Sequence, residues 1–152
     1  MTPFSTTTQA TDLLAEWERF QPPVSLLCRS DFLACVTEML SCEDHQLDRE
    51  DVRCTISQVR ELTTCSAEAS GPDRARQAIS EVLTHSQAQT GHVLLALISR
   101  VDAELSMDEL DLILETLQAS VGQDWEIMFS HSISSTQPAE LRLLVLLAPL
   151  QP

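Results

Sequence analysis

The chain has no lysine: all nine of its basic residues are arginines, set against 23 acids in 152 residues. The resulting net charge of −14 repels phosphate backbones and anionic headgroups, so nucleic acid and membrane are not expected partners. Glycine is nearly absent, with only Gly71, Gly91 and Gly122. No glycine-rich loop exists to cradle a phosphate, and no cofactor is expected. Long hydrophobic runs are lacking too. The longest, Leu143 to Pro149, is broken by Pro149 and reads as a strand rather than a membrane span. Met1-Thr2-Pro3-Phe4 has no basic n-region, so no signal peptide is expected. Five cysteines, an odd number without a CxxC pair, predict reduced thiols in a cytoplasmic protein rather than a disulfide framework. Cys42-Glu43-Asp44-His45 is half of a metal site by spacing, but no second half follows. Cys28, Cys35 and Cys42 therefore read as thiols on a helix face, and no metal is expected.

What is present suits one domain able to bury a core unaided, with 43% apolar residues. Residues 1–10 are rich in Thr, Ser and Gln and predict a flexible arm. An N-terminal helical extension over 11–45 holds two helices. The first carries Leu13, Trp17 and Phe20 on one stripe and stops at Pro22-Pro23; the second runs from Asp31 to about Ser41. A third helix is predicted from about Arg49 to Leu62, with Val52, Ile56 and Val59 inward. Thr63 to Ala69 reads as a strand. Ser70-Gly71-Pro72-Asp73 reads as a capping box opening a helix whose buried face is Ala75, Ala78, Ile79, Val82 and Leu83. His92 to Ile98 is apolar at nearly every step, which predicts a central strand buried on both faces. Ser106-Met107-Asp108-Glu109 is a second capping box. It starts a helix with Met107, Leu110, Ile113, Leu114, Leu117 and Val121 at helical spacing, ended by Gly122. Trp125, Ile127, Phe129, His131 and Ile133 alternate as on a half-covered strand, His131 being a satisfied core or edge histidine. Leu141 to Ala148 is the last strand. The expected class is α/β, an α+β sandwich: a mixed sheet of about four strands covered by helices, behind the helical segment.

One stretch bears on chemistry. Gln46-Leu47-Asp48-Arg49-Glu50-Asp51-Val52-Arg53 sets two carboxylates three residues apart where a charged loop meets a helix. Asp48 at that position caps the helix, with Asp51 in its positive first turn. Two carboxylates held there can instead orient a water for attack on an electrophile.

From Leu47 onward the chain resembles the C-terminal (activation) domain of the tubulin/FtsZ family, closest to bacterial FtsZ. The resemblance rests on Leu47 to Arg53, on Glu68-Ala69-Ser70-Gly71-Pro72-Asp73-Arg74-Ala75, on Val93 to Ser99, on Met107-Asp108-Glu109-Leu110, on Trp125 to Ser130 and on Leu141 to Val145. Together these pieces cover about 100 residues in order, and the Ala-Ser-Gly-Pro-Asp-Arg-Ala run is the most specific. The resemblance places a C-terminal-like domain at 46–152, without the family's GTP-binding domain. It implies that Asp48 and Asp51 stand where the family's synergy loop carries two acids that help orient the water hydrolysing GTP in the next subunit. The sequence departs from the family in having Gln46 for an Asn, and Arg49-Glu50 for the Phe-Ala between the acids. Five acids and one arginine fall between Glu43 and Asp51, so this loop nears a triphosphate only against repulsion unless a cation intervenes.

The function expected is non-enzymatic: a half-subunit that binds FtsZ, a similar filament protein or another copy of itself, and caps or modulates filaments in cell division. The contact residues expected are Gln46, Asp48, Arg49, Glu50 and Asp51, with Trp17 and Phe20 on the first helix; Asp48 and Asp51 would be its only catalytic groups, acting in trans. The alternative is a small acidic adaptor or chaperone, with the Trp17/Phe20 helix or a sheet edge as its contact or dimer surface. Failing both, an enzyme would need a pocket around Asp48, Asp51 and His45.

Overall fold

Two strands that are apolar at successive positions must be covered on both faces, and that requirement puts them at the centre of the sheet. In the computed structural model they are β2 (Thr90–Arg100) and β4 (Leu141–Leu150), paired antiparallel from Thr90↔Leu150 to Ser99↔Leu141. The structure describes residues 15, 37, 49–56, 63–83 and 90–150. In chain order the elements are α1 (Arg49–Ile56), β1 (Thr63–Ala69), α2 (Arg74–Val82), β2, α3 (Met107–Val121), β3 (Trp125–Ser134) and β4. The strand order is β1-β4-β2-β3, with β1 antiparallel to β4 and β3 parallel to β2. The parallel pair is joined by α3 as a crossover, the connection parallel neighbours need. This is the mixed four-stranded α/β sheet expected. Of the first 48 residues only Ala15 and Thr37 are described, both helical.

The main core lies beneath α2 and α3. Ala75, Ala78, Ile79 and Val82 of α2 and Ile113, Leu117 and Val121 of α3 meet Val93, Leu95, Leu97, Leu141, Leu143, Val145 and Leu147 of the two central strands. Small alanines on α2 let its backbone approach the sheet closely. The alternate positions, Leu94, Ala96, Leu144, Leu146 and Ala148, are buried as well. Val52 and Thr55 of α1 are buried, and α1 contacts β2.

Three expectations need correction. Met107 lies at the spacing of the apolar stripe but is 70% exposed, because the first helical residue projects beyond the sheet that the later turns cover. Phe129 and Ile133 are exposed although their alternation predicted a covered face. β3 is the last strand of the sheet, and the core beneath the helices takes only Trp125 and, in part, Ile127 from it. Finally, Ser70 does not cap α2. The N-cap position is Asp73, without a side-chain capping bond, and the Ser70 hydroxyl accepts the Glu140 N–H at 3.0 Å.

Candidate partner-binding site

The acidic loop–helix junction meets the described residues at α1, where Arg49–Ile56 are helical. Of the expected contact residues, Glu50 is exposed on the first turn. Val52 and Thr55 anchor the helix by burial. Arg49 and Asp51 have helical backbone, their side chains not being described. Gln46, Asp48, His45, Trp17 and Phe20 lie outside the described residues. So do 57–62, the final residues of the expected third helix, and 1–10 of the expected arm.

A partly buried polar cluster that the sequence did not announce holds the helix side of the sheet. Arg74, the first residue of α2, has a side chain only 9% exposed. Its Nε donates to Glu109 Oε2 at 2.7 Å and its Nη2 to Glu109 Oε1 at 2.9 Å, a two-point grip on one carboxylate. Nη1 and Nη2 also donate to the carbonyls of Ala103 and Glu104. Glu109 closes the α3 capping box at the same time: its Oε1 accepts the Ser106 N–H, and the Ser106 hydroxyl accepts the Glu109 N–H. Hydrogen bonding from Arg74 pulls the Glu109 carboxyl down to about 2, and the same bond raises the arginine. Gly71, at φ 96°, donates its N–H to Glu140 Oε1 at 2.7 Å. The Ser70-Gly71-Pro72-Asp73-Arg74 elbow therefore ties β1, the start of α2, the start of α3 and the approach to β4 into one cluster. The signal in the sequence was a capping-box Glu whose carboxylate has room for a second partner, but only the fold brings Arg74 to it across 35 positions.

A serine–histidine pair also occurs. Ser99 Oγ lies 2.8 Å from His131 Nε2 across the β2–β3 ladder. That spacing would suit a nucleophile and its base, but Ser99 is fully buried, so no substrate atom can reach the hydroxyl. The pair secures His131 at the sheet margin, the satisfied edge histidine expected. Among the described residues no group of three His, Cys, Asp or Glu could hold a metal ion, and no helix is long and apolar enough to cross a membrane.

An FtsZ dimer from M. jannaschii superposes with a TM-score of 0.63 at 16% identity, covering 79% of this chain and 37% of that one. The fold is that of the tubulin/FtsZ group. CetZ from Methanosaeta thermophila gives a TM-score of 0.55 at 15% identity over 96% of this chain and 42% of its own. A GTPγS-form protofilament of TubZ from Bacillus thuringiensis serovar israelensis gives 0.58 at 11% identity, over 95% of this chain and 40% of its own. The 152 residues thus span well under half the length of these tubulin/FtsZ-like chains, and the four-stranded sheet is consistent with their C-terminal domain. No protein-family model matches, nor does any curated protein sequence.

Proposed function

We propose that this tubulin/FtsZ-like domain is a cytoplasmic binding module that uses the acidic segment 43–51 to dock on a filament protein of the FtsZ type, capping or modulating the filament. The observation that carries the reading is the shared fold; the sequence resemblance adds two acids, Asp48 and Asp51, that match the family's trans-acting acids. Support also comes from charge. Five acids against one arginine in nine residues make a surface that a basic rim on a partner would attract, and that a bound triphosphate alone would repel. The segment is therefore a contact first and a hydrolytic aid second, and the domain is no enzyme by itself.

The test is to add the protein to polymerising FtsZ with GTP and follow pelleted polymer and phosphate release. The wild type should change one or both. Asp48→Ala/Asp51→Ala should weaken that effect, and rising salt should weaken it too, because exposed charges are screened within about 10 Å at 0.1 M. No binding and no change in either assay would refute the reading. Co-purification from the native cell of an unrelated protein, without any filament protein, would favour the adaptor reading instead.

A further inference from the structure

Of the four large apolar side chains exposed among the described residues, Met107 opens α3 and the other three stand at one margin of the sheet. Phe129 and Ile133 are 40% and 41% exposed on β3. Val101, 60% exposed, stands just past β2, its N–H donated to the Ser134 carbonyl at 2.9 Å. Phe129 and Ile133 are four positions apart on one strand, so they share one face of this sheet margin, and Val101 is hydrogen-bonded at its end. β3 is the terminal strand, and among the described residues its outer edge has no strand beside it. Its ladder with β2 runs ten residues without a bulge, from Gly91↔Trp125 to Arg100↔Ser134. Edge strands ordinarily carry a charge, a proline or a bulge that discourages pairing with another chain. On β3 the proline and the bulge are missing, and its one charged acid, Glu126, stands at the second position of the strand. From Ile127 to Ala139 there is no acid and no arginine, and the only proline is Pro138, beyond the strand.

That neutral window identifies the occupant. Two chains of net charge −14 repel each other over most of their surfaces, whereas thirteen consecutive uncharged residues let them approach without opposing like charges. A basic partner would be drawn to the acidic surfaces instead. We infer that the outer edge of β3 is a self-association surface on which a second copy pairs antiparallel, with His131 at the twofold axis, extending the sheet from four strands to eight. In this register Phe129 faces Ile133 of the partner subunit, and the reciprocal contact repeats across the axis, as an isologous interface requires. Both contacts lie on one face because alternate residues of a strand share a face. The same register keeps the two Glu126 side chains apart, since each falls opposite position 136 of the other copy.

The reading is independent of the acidic segment, and its test requires no other protein. Light scattering or sedimentation equilibrium of the full chain should give about twice the 16.9 kDa chain mass. Phe129→Glu/Ile133→Glu and Phe129→Arg/Ile133→Arg each place like charges opposite each other and should give monomers with wild-type circular dichroism. Phe129→Arg/Ile133→Glu places opposite charges face to face and should remain a dimer. A wild type that is monomeric up to about 1 mM, or three variants that behave alike, would overturn the inference. Should the variants fold poorly, backbone exchange on the wild type decides: the Phe129 and Ile133 amides must slow as concentration rises, and their indifference to concentration would overturn it equally.

Discussion

Glu109→Gln tests whether the Arg74 cluster holds the two helices to the sheet. The amide still accepts the Ser106 N–H, since glutamine serves in a capping box as well as glutamate. What the substitution removes is the negative charge gripped by Arg74 at 2.7 and 2.9 Å. Hydrogen bonds to charged groups contribute about 1.5–3 kcal/mol each. The guanidinium left behind is only 9% exposed, so water cannot fully replace the lost partner, and Glu140, 4.0 Å from Nη1, substitutes weakly. A loss of about 3 kcal/mol follows, enough to lower the melting temperature by about 10 °C in a chain of this size. Arg74→Met keeps most of the buried stem, so Glu109→Gln, Arg74→Met and the double variant form a cycle. The double variant should be more stable than the sum of the singles predicts by about 2 kcal/mol, read by urea unfolding with linear extrapolation. The pH dependence has a definite sign. The Glu109 carboxyl is depressed in the folded chain, so its contribution is complete above about 4.5, its unperturbed value, and is lost as pH falls toward about 2. Wild type should lose stability across that window, and Glu109→Gln should lose correspondingly less. A coupling below about 0.5 kcal/mol, the value of an ordinary exposed pair, would refute the reasoning.

Two further substitutions probe the sheet and the crossover helix. A methyl group at Gly91 would lie 2.6 Å from ring carbons of Trp125, itself only 3% exposed. Gly91→Ala should therefore cost about 2–3 kcal/mol and shift the Trp125 fluorescence in a Trp17→Phe background; a spectrum and stability both unchanged would show that the ring is free to move. Ser106→Ala removes the hydroxyl that accepts the Glu109 N–H at 3.1 Å, and should cost about 1 kcal/mol in urea unfolding. A neutral result there would mean that the Arg74 grip alone fixes the start of α3.

The sequence by itself determined the elements and much of their order. Continuous apolar runs at His92–Ile98 and Leu141–Ala148 admit only strands covered on both faces, and the structure makes them the two central strands. The capping box at Ser106 and the stop at Gly122 locate α3 because both signals act within one turn of the helix end. Local chemistry could not reveal partners far apart in the chain. Arg74 lies 35 positions from Glu109 and Ser70 lies 70 from Glu140, so their bonds exist only once β1 and β4 are paired and α2 lies beside α3. Ser70 illustrates the difference: its position before a helix suggested a cap, yet the approach to β4 offers its hydroxyl a better-placed N–H. The alternation of Phe129, His131 and Ile133 likewise gave the strand and the shared face, but not what would cover that face. Coverage depends on where β3 falls in the sheet, and only the tertiary order β1-β4-β2-β3 sets it at the margin, beyond the core beneath the two helices.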